Sequence, residues 1–328
     1  MFGYFGPEGT FTHQALLTLS REPARSFASI GAALDAVREG AVEASMVPLE
    51  NSVEGGVSAS LDALGDLELA PLRIVREVLI PVSFDLAARP GTELGQVRRV
   101  ITHPHAAAQV RHWLATTIPR AQVVERGSTA AAAKTVSDPS SGFDAAVCAP
   151  VASRHYGLEV LAHDIADNAE AVTRFVLVSR PGELPAQTGA DKTSMVVYLR
   201  HDEPGALLAI LQQFAVRGVN LCRIESRPTR TTLGSYSFSI DAEGHLEDAR
   251  MAETLLGLKR ICKHVIFLGS YPRADAKPPT VRAGGKNADY RNAQEWLAEL
   301  RGAMTTRAPG STSASKRHPS PTVSPSSS

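Results

Sequence analysis

A threonine, an arginine and an aromatic residue follow one another at Thr173, Arg174 and Phe175. The segment Val172–Ser179 around them is rich in β-branched residues and stops before Pro181, which predicts a β-strand. Strand alternation puts Thr173 and Phe175 on one face and Arg174 on the other. By itself this segment is also typical of an ordinary sheet strand with one solvated arginine, so its interpretation depends on the other segments.

Hydroxyl and amide side chains stand at or near several predicted strand-to-helix junctions. They are Thr10 and Thr12, Asn51 and Ser52, Thr102, and Ser128 with Thr129. Each alone is typical of a helix cap or a turn. Together they favour a cleft that binds a small anionic ligand, because helix N-termini and hydroxyl donors both attract negative charge.

Two other groups of residues could carry chemistry but are interpreted as structural. His103 and His105 follow a predicted strand, but no further ligand set accompanies them, so we predict a loop and no metal site. The cysteines Cys148, Cys222 and Cys262 form no metal-binding spacing and lie in apolar runs. We expect buried, reduced thiols.

The composition indicates a soluble globular protein of two domains. Its 328 residues are 43% hydrophobic and 21% charged, as is usual for such proteins. Lys plus Arg and Asp plus Glu are balanced at 34 each, which argues against nucleic acid or an anionic membrane as a partner. A basic n-region and a membrane-length apolar run are both lacking, so we expect a cytoplasmic protein without a signal peptide.

Strands and helices alternate through the first 180 residues, which predicts an α/β fold with parallel sheets. A long extended run over residues 72–88 predicts a crossover between two lobes. We expect one lobe from roughly residues 1–75 plus 165–180 and a second from roughly 80–160. The catalytic domain would thus be a two-lobe, periplasmic-binding-protein-like unit over residues 1–182, with its ligand cleft between the lobes.

A second domain follows a polar linker over residues 182–191. The order strand, helix, strand, strand, helix, strand over residues 192–272 predicts an α+β ferredoxin-like (βαββαβ) domain, with one strand starting at Ser235. Residues 273–328 are low in apolar side chains, except for one or two predicted helical turns at residues 296–300. We predict that this tail is mostly disordered.

These motifs resemble those of prephenate dehydratases with a C-terminal ACT regulatory domain. The matching segments of the first domain are Gly6-Pro7-Glu8-Gly9-Thr10-Phe11, Val47-Pro48-Leu49-Glu50-Asn51-Ser52, Thr102-His103-Pro104 with Gln109, Ser128-Thr129-Ala130 and Thr173-Arg174-Phe175. Those of the second domain, which match the two effector motifs of the family, are Gly205-Ala206-Leu207-Leu208 and Glu225-Ser226-Arg227-Pro228. Three positions depart from the family pattern: Thr102 replaces the usual serine, His105 a common glutamine, and Ala171 a frequent asparagine.

The resemblance implies a hydro-lyase that converts prephenate to phenylpyruvate without a cofactor. It makes Thr173 the donor to the leaving hydroxyl and Phe175 a residue that excludes water. Arg174 belongs to the same catalytic motif, although its orientation favours a structural or supporting role. The implied substrate-binding residues are Thr10, Asn51, Ser52, Thr102, Gln109, Ser128 and Thr129.

The resemblance also implies that L-phenylalanine is an allosteric effector, bound between subunits of a homodimer or homotetramer. The implied effector-binding residues are Gly205, Ala206, Leu207, Leu208, Asn220, Leu221, Glu225, Ser226, Arg227 and Pro228. Three alternatives stay open. An arogenate dehydratase would use the same motifs on an aminated substrate. A non-catalytic binding module would not need the Thr-Arg-Phe motif, and a free-standing amino-acid sensor would leave residues 1–180 unexplained.

Overall fold

The computed structural model describes residues 1–168, 170–229 and 236–305. Ser235, which begins a predicted strand, and the predicted tail beyond residue 305 lie outside the described residues. The elements up to the lobe crossover are β1 (Gly3–Phe5), α1 (Phe11–Leu17), β2 (Arg25–Phe27), α2 (Ile30–Arg38), β3 (Ala44–Asn51), β4 (Gly55–Gly56), α3 (Ser58–Gly65) and β5 (Arg73–Pro81).

The chain then builds a second lobe and returns to the first. The elements after the crossover are β6 (Asp85–Ala88), β7 (Arg99–Thr102), α4 (Pro104–Gln109), α5 (Arg111–Thr117), β8 (Gln122–Glu125), α6 (Thr129–Ser137), β9 (Ala145–Cys148), α7 (Pro150–His155), β10 (Glu159–Ala162) and β11 (Val172–Ser179). Short 3-10 helices at Leu94–Gln96 and Pro139–Ser141 join the strands of this lobe.

Each lobe has its own sheet, and both sheets are mixed. The first has the order β2-β1-β3-β11-β5, with β4 beside β3, and the second has the order β10-β6-β9-β7-β8. In the first sheet β1 is parallel to β2 and β3, whereas β11 is antiparallel to β3 and β5. The second sheet pairs β7 in parallel with β8 and β9, and β6 antiparallel to β9 and β10.

The predicted fold class is confirmed, and the predicted parallel pairing holds for four strand pairs, but both sheets also contain antiparallel strands. The antiparallel pairs arise where the chain crosses between lobes, because β6 enters the second sheet and β11 re-enters the first against the direction of their neighbours. Only residues 82–84 separate β5 from β6. Since β5 pairs with β11, the first lobe extends to about residue 81 rather than 75.

The returning strand β11 separates two hydrophobic cores. On one face Phe175 and Leu177 pack with Tyr4, Leu16 and Met46 beneath α1. The opposite face, with Val176 and Val178, packs against helices α2 and α3 and also against Val196, Leu268 and Tyr271 of the next domain. One continuous core therefore joins the first lobe to the domain that follows it.

The domain after the linker is a four-stranded antiparallel sheet within the described residues. Its elements are β12 (Asp191–Tyr198), α8 (Ala206–Ala215), β13 (Leu221–Pro228), β14 (Tyr236–Glu243), α9 (Ala249–Ile261) and β15 (His264–Pro272). The strand order is β13-β14-β12-β15, which is the ferredoxin-like arrangement. Helices α8 and α9 pack together and contribute Ile210, Phe214, Met251 and Leu258 to the core of this domain.

The segment after β15 contains more helix than the sequence predicted. Instead of one or two turns within a mostly disordered tail, the helix α10 (Asn287–Thr305) has 19 residues. The reason is the high helix propensity of its alanines, glutamates, leucines and arginines. In the described part of the chain, none of the helices has the length and apolar character needed to cross a membrane.

The contact between β15 and β5 generates a prediction about stability. At Gly269 of β15, φ is +135°, and an added Cβ would overlap the carbonyl oxygen of Ile74 in β5. We expect Gly269→Ala to lower the free energy of unfolding by about 1–3 kcal/mol, because the strain and the overlap must both be relieved. Urea denaturation would measure the change.

Gly95→Ala is the matched control, because a Cβ added at Gly95 would meet no described atom within 4 Å. We expect this variant to unfold like the wild type. If Gly269→Ala were equally stable, the close approach of β15 to β5 would be contradicted.

Candidate active site

The Thr173 hydroxyl lies beside the Asn51 amide, where β11 and β3 meet at one end of the first sheet. Asn51 Nδ2 donates to Thr173 Oγ1 at 2.8 Å, and the two residues are register partners. Asn51 Oδ1 accepts from the backbone nitrogens of Val53 and Glu54 at 2.8 and 3.2 Å, which fixes the orientation of the amide. Since Thr173 Oγ1 already accepts a hydrogen bond, its own proton is oriented for donation to another group.

Ser52 ties the loop after β3 to the start of β11. Its hydroxyl accepts from the Val172 nitrogen at 2.9 Å, and its own nitrogen donates to the Val172 carbonyl at 2.9 Å. Of the predicted pair, Asn51 therefore binds the Thr173 side chain, and Ser52 binds the backbone of the preceding residue, Val172. In this structure both residues act on the strand that carries Thr173.

The loop over residues 6–10 faces the second lobe. Thr10 caps α1 by accepting from the His13 nitrogen at 3.3 Å, whereas Thr12 is buried inside that helix. A Cβ added at Gly9 would lie 3.1 Å from Ala152 Cα and 3.6 Å from the Ala130 side chain. The loop thus approaches the first turn of α6 and helix α7.

Ser128 and Thr129 stand at the start of α6, on the facing wall. The Ser128 hydroxyl caps the helix by accepting from the Ala131 nitrogen at 3.0 Å, and Thr129 is the first helical residue. Because Gly9 approaches Ala130, these two hydroxyls lie across from the loop that contains Thr10. A helix N-terminus in this position favours a negative charge in the cleft between the lobes.

Two histidine–carboxylate pairs span the lobes. His105 Nδ1 lies 2.5 Å from Glu54 Oε1, and His155 Nε2 lies 3.0 Å from Glu8 Oε2. His103 stacks on His105 with ring centroids 5.0 Å apart, and burial, followed by the neighbouring His105, lowers the pKa of His103. Within the described residues, no group of three or more potential metal ligands was found.

Thr102 and Gln109 differ from the other predicted substrate-binding residues. The Thr102 side chain is fully buried and donates to the Val147 carbonyl at 2.8 Å, so in this structure it links β7 to β9. The backbone carbonyl of Gln109 accepts from the Asp167 nitrogen at 2.7 Å, at the end of α4. The Asp167 carboxylate in turn accepts from two backbone nitrogens at the start of α5. The Thr102 side chain therefore has a structural partner, whereas the contact of Gln109 is made by its backbone.

Phe175 and Arg174 occupy opposite sides of β11. Phe175 is 2% exposed and packs in the core below α1, on the same face of the strand as Thr173. The Arg174 guanidinium instead faces the ferredoxin-like domain. It donates to Asp241 at 2.6 Å, to Glu77 at 2.7 Å and to the Tyr271 hydroxyl at 2.7 Å.

Arg174 and Asp241 are ionised partners inside the protein. Burial alone would lower the pKa of Arg174, but Asp241, Tyr271 and Glu77 raise it well above its usual value. Burial would likewise raise the pKa of Asp241, but Arg174 and Arg223 hold it far below the usual range of a carboxyl. Sequence reasoning missed Asp241 and Glu77. The signal for Glu77 was a carboxylate within the largely apolar strand β5, whereas Asp241 continues the polar alternation of Ser237 and Ser239 in β14 and gave no such signal.

The predicted effector-binding residues divide into three groups. A cavity of about 720 Å³ in the ferredoxin-like domain is lined by Gly205, Ala206, Leu207, Leu208 and Ser226, among others. Asn220 and Leu221 do not line this cavity. Glu225, Arg227 and Pro228 lie towards the first lobe.

The contacts of this third group are interdomain. A Cβ added at Gly56 would overlap the Glu225 carboxylate, and Arg227 Nη2 donates to Asp62 at 2.7 Å. Arg227 and Pro228 line a second cavity of about 390 Å³, between α3 and the ferredoxin-like sheet. The Glu225-Ser226-Arg227-Pro228 segment therefore borders both the cavity within its own domain and the catalytic domain.

The fold and the cleft define a two-lobe α/β protein with an appended ferredoxin-like domain. The family model of prephenate dehydratase matches residues 2–183. A prephenate dehydratase of Amycolatopsis methanolica is 47% identical over 300 residues, which cover 90% of this chain and 96% of that protein. The chain belongs to the prephenate dehydratase family.

Solved structures give the same family and a wider range of activities. The structure of a prephenate dehydratase from Arthrobacter aurescens in complex with L-Phe has a TM-score of 0.87 and 49% identity, covering 92% of this chain and 99% of that one. A structure described as GqqA, a novel type of quorum quenching acylase, has a TM-score of 0.74 and 30% identity, covering 83% and 97%. The fold alone does not define the reaction, and the assignment as a hydro-lyase rests on family membership.

The Asn51–Thr173 hydrogen bond generates a prediction about which of the two side chains is the donor. Asn51→Asp keeps the shape of the side chain but replaces the amide donor with a carboxylate, which would accept the Thr173 proton. We expect kcat to fall by about 10²–10⁴-fold, because the hydroxyl would no longer donate towards the cleft. Steady-state kinetics with prephenate would measure this change.

Asn51→Ala is the comparison variant, because it removes the amide without supplying an acceptor. We expect a smaller loss of kcat for this variant than for Asn51→Asp. An Asn51→Asp protein with wild-type kcat would contradict the assigned polarity of the hydrogen bond.

Proposed function

We propose that the cleft between the two lobes binds prephenate and that Thr173 assists its decarboxylating dehydration to phenylpyruvate. The observation that carries this proposal is the hydrogen bond from Asn51 to Thr173 at the start of β11, which leaves the threonine proton free for donation to another group. Family membership supports the substrate and the reaction class. The specific roles of the residues follow from the chemistry of the reaction.

In this reaction the bond from the ring to its carboxylate breaks, and carbon dioxide leaves. The electron pair enters the ring, which becomes aromatic as the C4–oxygen bond breaks. The departing oxygen takes up a proton and leaves as water. Electrons move only within the substrate, so the proposal requires neither a redox partner nor another cofactor. Thr173 lowers the barrier by donating a hydrogen bond to the oxygen as negative charge develops on it.

The substrate is a dianion, and the walls of the cleft offer neutral donors. Ser128 and Thr129 stand at the N-terminus of α6, and Thr10 stands at that of α1. We assign the binding of the side-chain carboxylate to this group, with Asn51 and Ser52 holding the opposite wall. The Thr102 side chain stabilises the second lobe next to this wall through Val147, and the Gln109 backbone does so through Asp167.

Phe175 contributes through packing. Its ring lies in the core beneath α1, and we assign it the exclusion of water from that side of Thr173. A dry environment next to the ring carboxylate favours loss of carbon dioxide, because decarboxylation disperses the charge of that group. Arg174 faces away from the cleft, so we assign it no contact with the substrate.

The proposed donor is tested by two substitutions. We expect Thr173→Ala to fold normally and to lose about 10²–10⁴-fold in kcat, because the leaving oxygen no longer receives a hydrogen bond. Thr173→Ser keeps the hydroxyl and is expected to keep much of the activity. Ultraviolet detection of phenylpyruvate from prephenate, without added cofactor, measures both variants.

The same assay separates the proposed reaction from the alternatives. A wild-type protein that binds prephenate without converting it would be a binding module. Turnover of arogenate in preference to prephenate would identify an arogenate dehydratase. A Thr173→Ala enzyme with wild-type kcat would contradict the assignment of the donor. As an enzyme of aromatic amino-acid biosynthesis, the protein is proposed to act in the cytoplasm.

We further propose that L-phenylalanine binds the ferredoxin-like domain and controls the catalytic domain. The cavity of about 720 Å³ supports this proposal because apolar side chains, including Leu207, Leu208 and Leu211, line it next to the backbone at Gly205. Gly205 has φ of +89° and precedes α8, where a small residue lets a ligand approach the main chain. We propose that a second subunit completes the site in a homodimer or homotetramer.

An exposed leucine in this cavity provides the test. Leu208 is 58% exposed and lines the cavity, whereas Leu256 is 66% exposed on α9 and does not. We expect Leu208→Asp to weaken phenylalanine binding by on the order of tenfold or more, because a carboxylate is costly beside an aromatic ring. Isothermal titration calorimetry on the full chain measures the affinity.

Leu256→Asp is the matched control and is expected to bind phenylalanine like the wild type. Equal affinities for Leu208→Asp and Leu256→Asp would contradict the location of the site. A wild-type chain that neither binds phenylalanine nor changes its rate would contradict the regulatory proposal itself.

A further inference from the structure

The carboxylate of Asp241 belongs to the ferredoxin-like domain but lies next to the strand that carries Thr173. Asp241 is on β14, is fully buried, and accepts from Arg174 Nη1 at 2.6 Å. Arg174 directly follows Thr173 in β11. Thr173, the proposed hydrogen-bond donor of the active site, is therefore the direct chain neighbour of a residue that forms an ion pair with another domain.

Asp241 is held in place by its own domain. Arg223 of β13 donates to it at 2.9 Å, and the Ser194 hydroxyl of β12 donates to it at 2.5 Å. The carboxylate therefore has several partners on neighbouring strands, which leaves it little freedom to follow a movement of Arg174. The Asp241 carboxylate therefore holds the Arg174 guanidinium in one position.

Three other groups contact the guanidinium: Glu77, Tyr271 and Glu50 of β3, which accepts from Arg174 Nη1 at 3.4 Å. Glu77 of β5 accepts from Arg174 Nε, and it is itself held by Lys192 at 2.8 Å and by the Ala274 nitrogen at 2.9 Å. Tyr271 of β15 accepts from Arg174 Nη2. The guanidinium is thus fixed in more than one direction, as expected for a planar group with several donors.

Backbone pairing on one side of β11 is irregular at this residue. Against β5 the pairing is regular from Val172 to Leu177, but against β3 the register shifts between Arg174 and Phe175, where Leu49 of β3 is the extra residue. At such a bulge the ladder of backbone hydrogen bonds is interrupted. The side-chain contacts of Arg174 therefore add to the fixation of β11 next to Thr173, where its ladder to β3 is incomplete.

We propose that Asp241 is a positioning residue for the active site, which acts through Arg174 to hold Thr173 in its productive orientation. This inference rests on the proposed function of Thr173. It makes the ferredoxin-like domain part of the basal catalytic machinery, independently of any effector. A misplacement of a catalytic group by about 1 Å can cost about 100-fold in rate.

The test compares two buried aspartates of the same domain. Asp241→Asn removes the charge opposite Arg174, and we expect kcat to fall by about 10- to 100-fold with little change in KM, because Thr173 acts in the transition state. Asp191 is 1% exposed and accepts from Thr188 and Gly189 of the linker instead. Asp191→Asn is the matched control, and we expect it to keep wild-type kcat.

A double variant shows whether the effect passes through Thr173. In a Thr173→Ala background, Asp241→Asn is expected to cause no further loss of kcat, since the group that it positions is already absent. Losses that multiply in the double variant would overturn the proposal. So would an unchanged kcat in Asp241→Asn, or equal losses of kcat in Asp241→Asn and Asp191→Asn.

A conservative substitution keeps the test decisive if Asp241→Asn fails to fold. Tyr271→Phe removes one acceptor of Arg174 and preserves the packing of the ring, and we expect it to lower kcat without raising KM. Wild-type kcat in Tyr271→Phe would then overturn the proposal. Wild-type protein is assayed first with prephenate, because a lack of turnover there contradicts the proposed function rather than the role of Asp241.

Discussion

The structure depends on the opposite orientation of two consecutive residues in one strand. In β11, Thr173 faces Asn51 of β3 and Arg174 faces the ferredoxin-like domain, as the two-residue period of a strand requires. The same alternation continues with Phe175 in the core beneath α1 and Val176 in the core shared with the next domain. A shift of β11 by one residue would exchange all of these environments at once.

The ion pairs of Arg174 make a change of this register unfavourable in free energy. A buried pair of charges contributes little net stability compared with apolar residues of the same size, but removal of one partner leaves an uncompensated charge. Arg174, Glu77 and Asp241 are each almost completely buried and come from three different strands. They therefore specify how the first lobe and the ferredoxin-like domain fit together, and the apolar core around Val196, Leu268 and Tyr271 supplies the area of the interface.

The sequence was sufficient for features that depend on local patterns. The strand at residues 172–179, its two faces and the caps at Thr10 and Ser128 follow from periodicity and side-chain chemistry. Features that depend on distant partners could not be predicted in this way. Thr102 has a hydroxyl that could bind a ligand, but this hydroxyl donates its hydrogen bond to the carbonyl of Val147. The antiparallel pairing of β11 likewise depends on the path of the chain between the lobes, which local periodicity does not record.

The strand β13 uses the same alternation as β11. Ser226 lines the cavity of the ferredoxin-like domain, whereas its neighbours Glu225 and Arg227 contact the first lobe at Gly56 and Asp62. Gly56 belongs to the hairpin that begins at Asn51, the residue that orients Thr173. A ligand in the cavity would therefore act on a strand whose other face holds the catalytic domain. Coupling between two binding sites is reciprocal. If a ligand in the cavity changes the affinity for a substrate bound near Asn51, that substrate changes the affinity for the cavity ligand by the same factor.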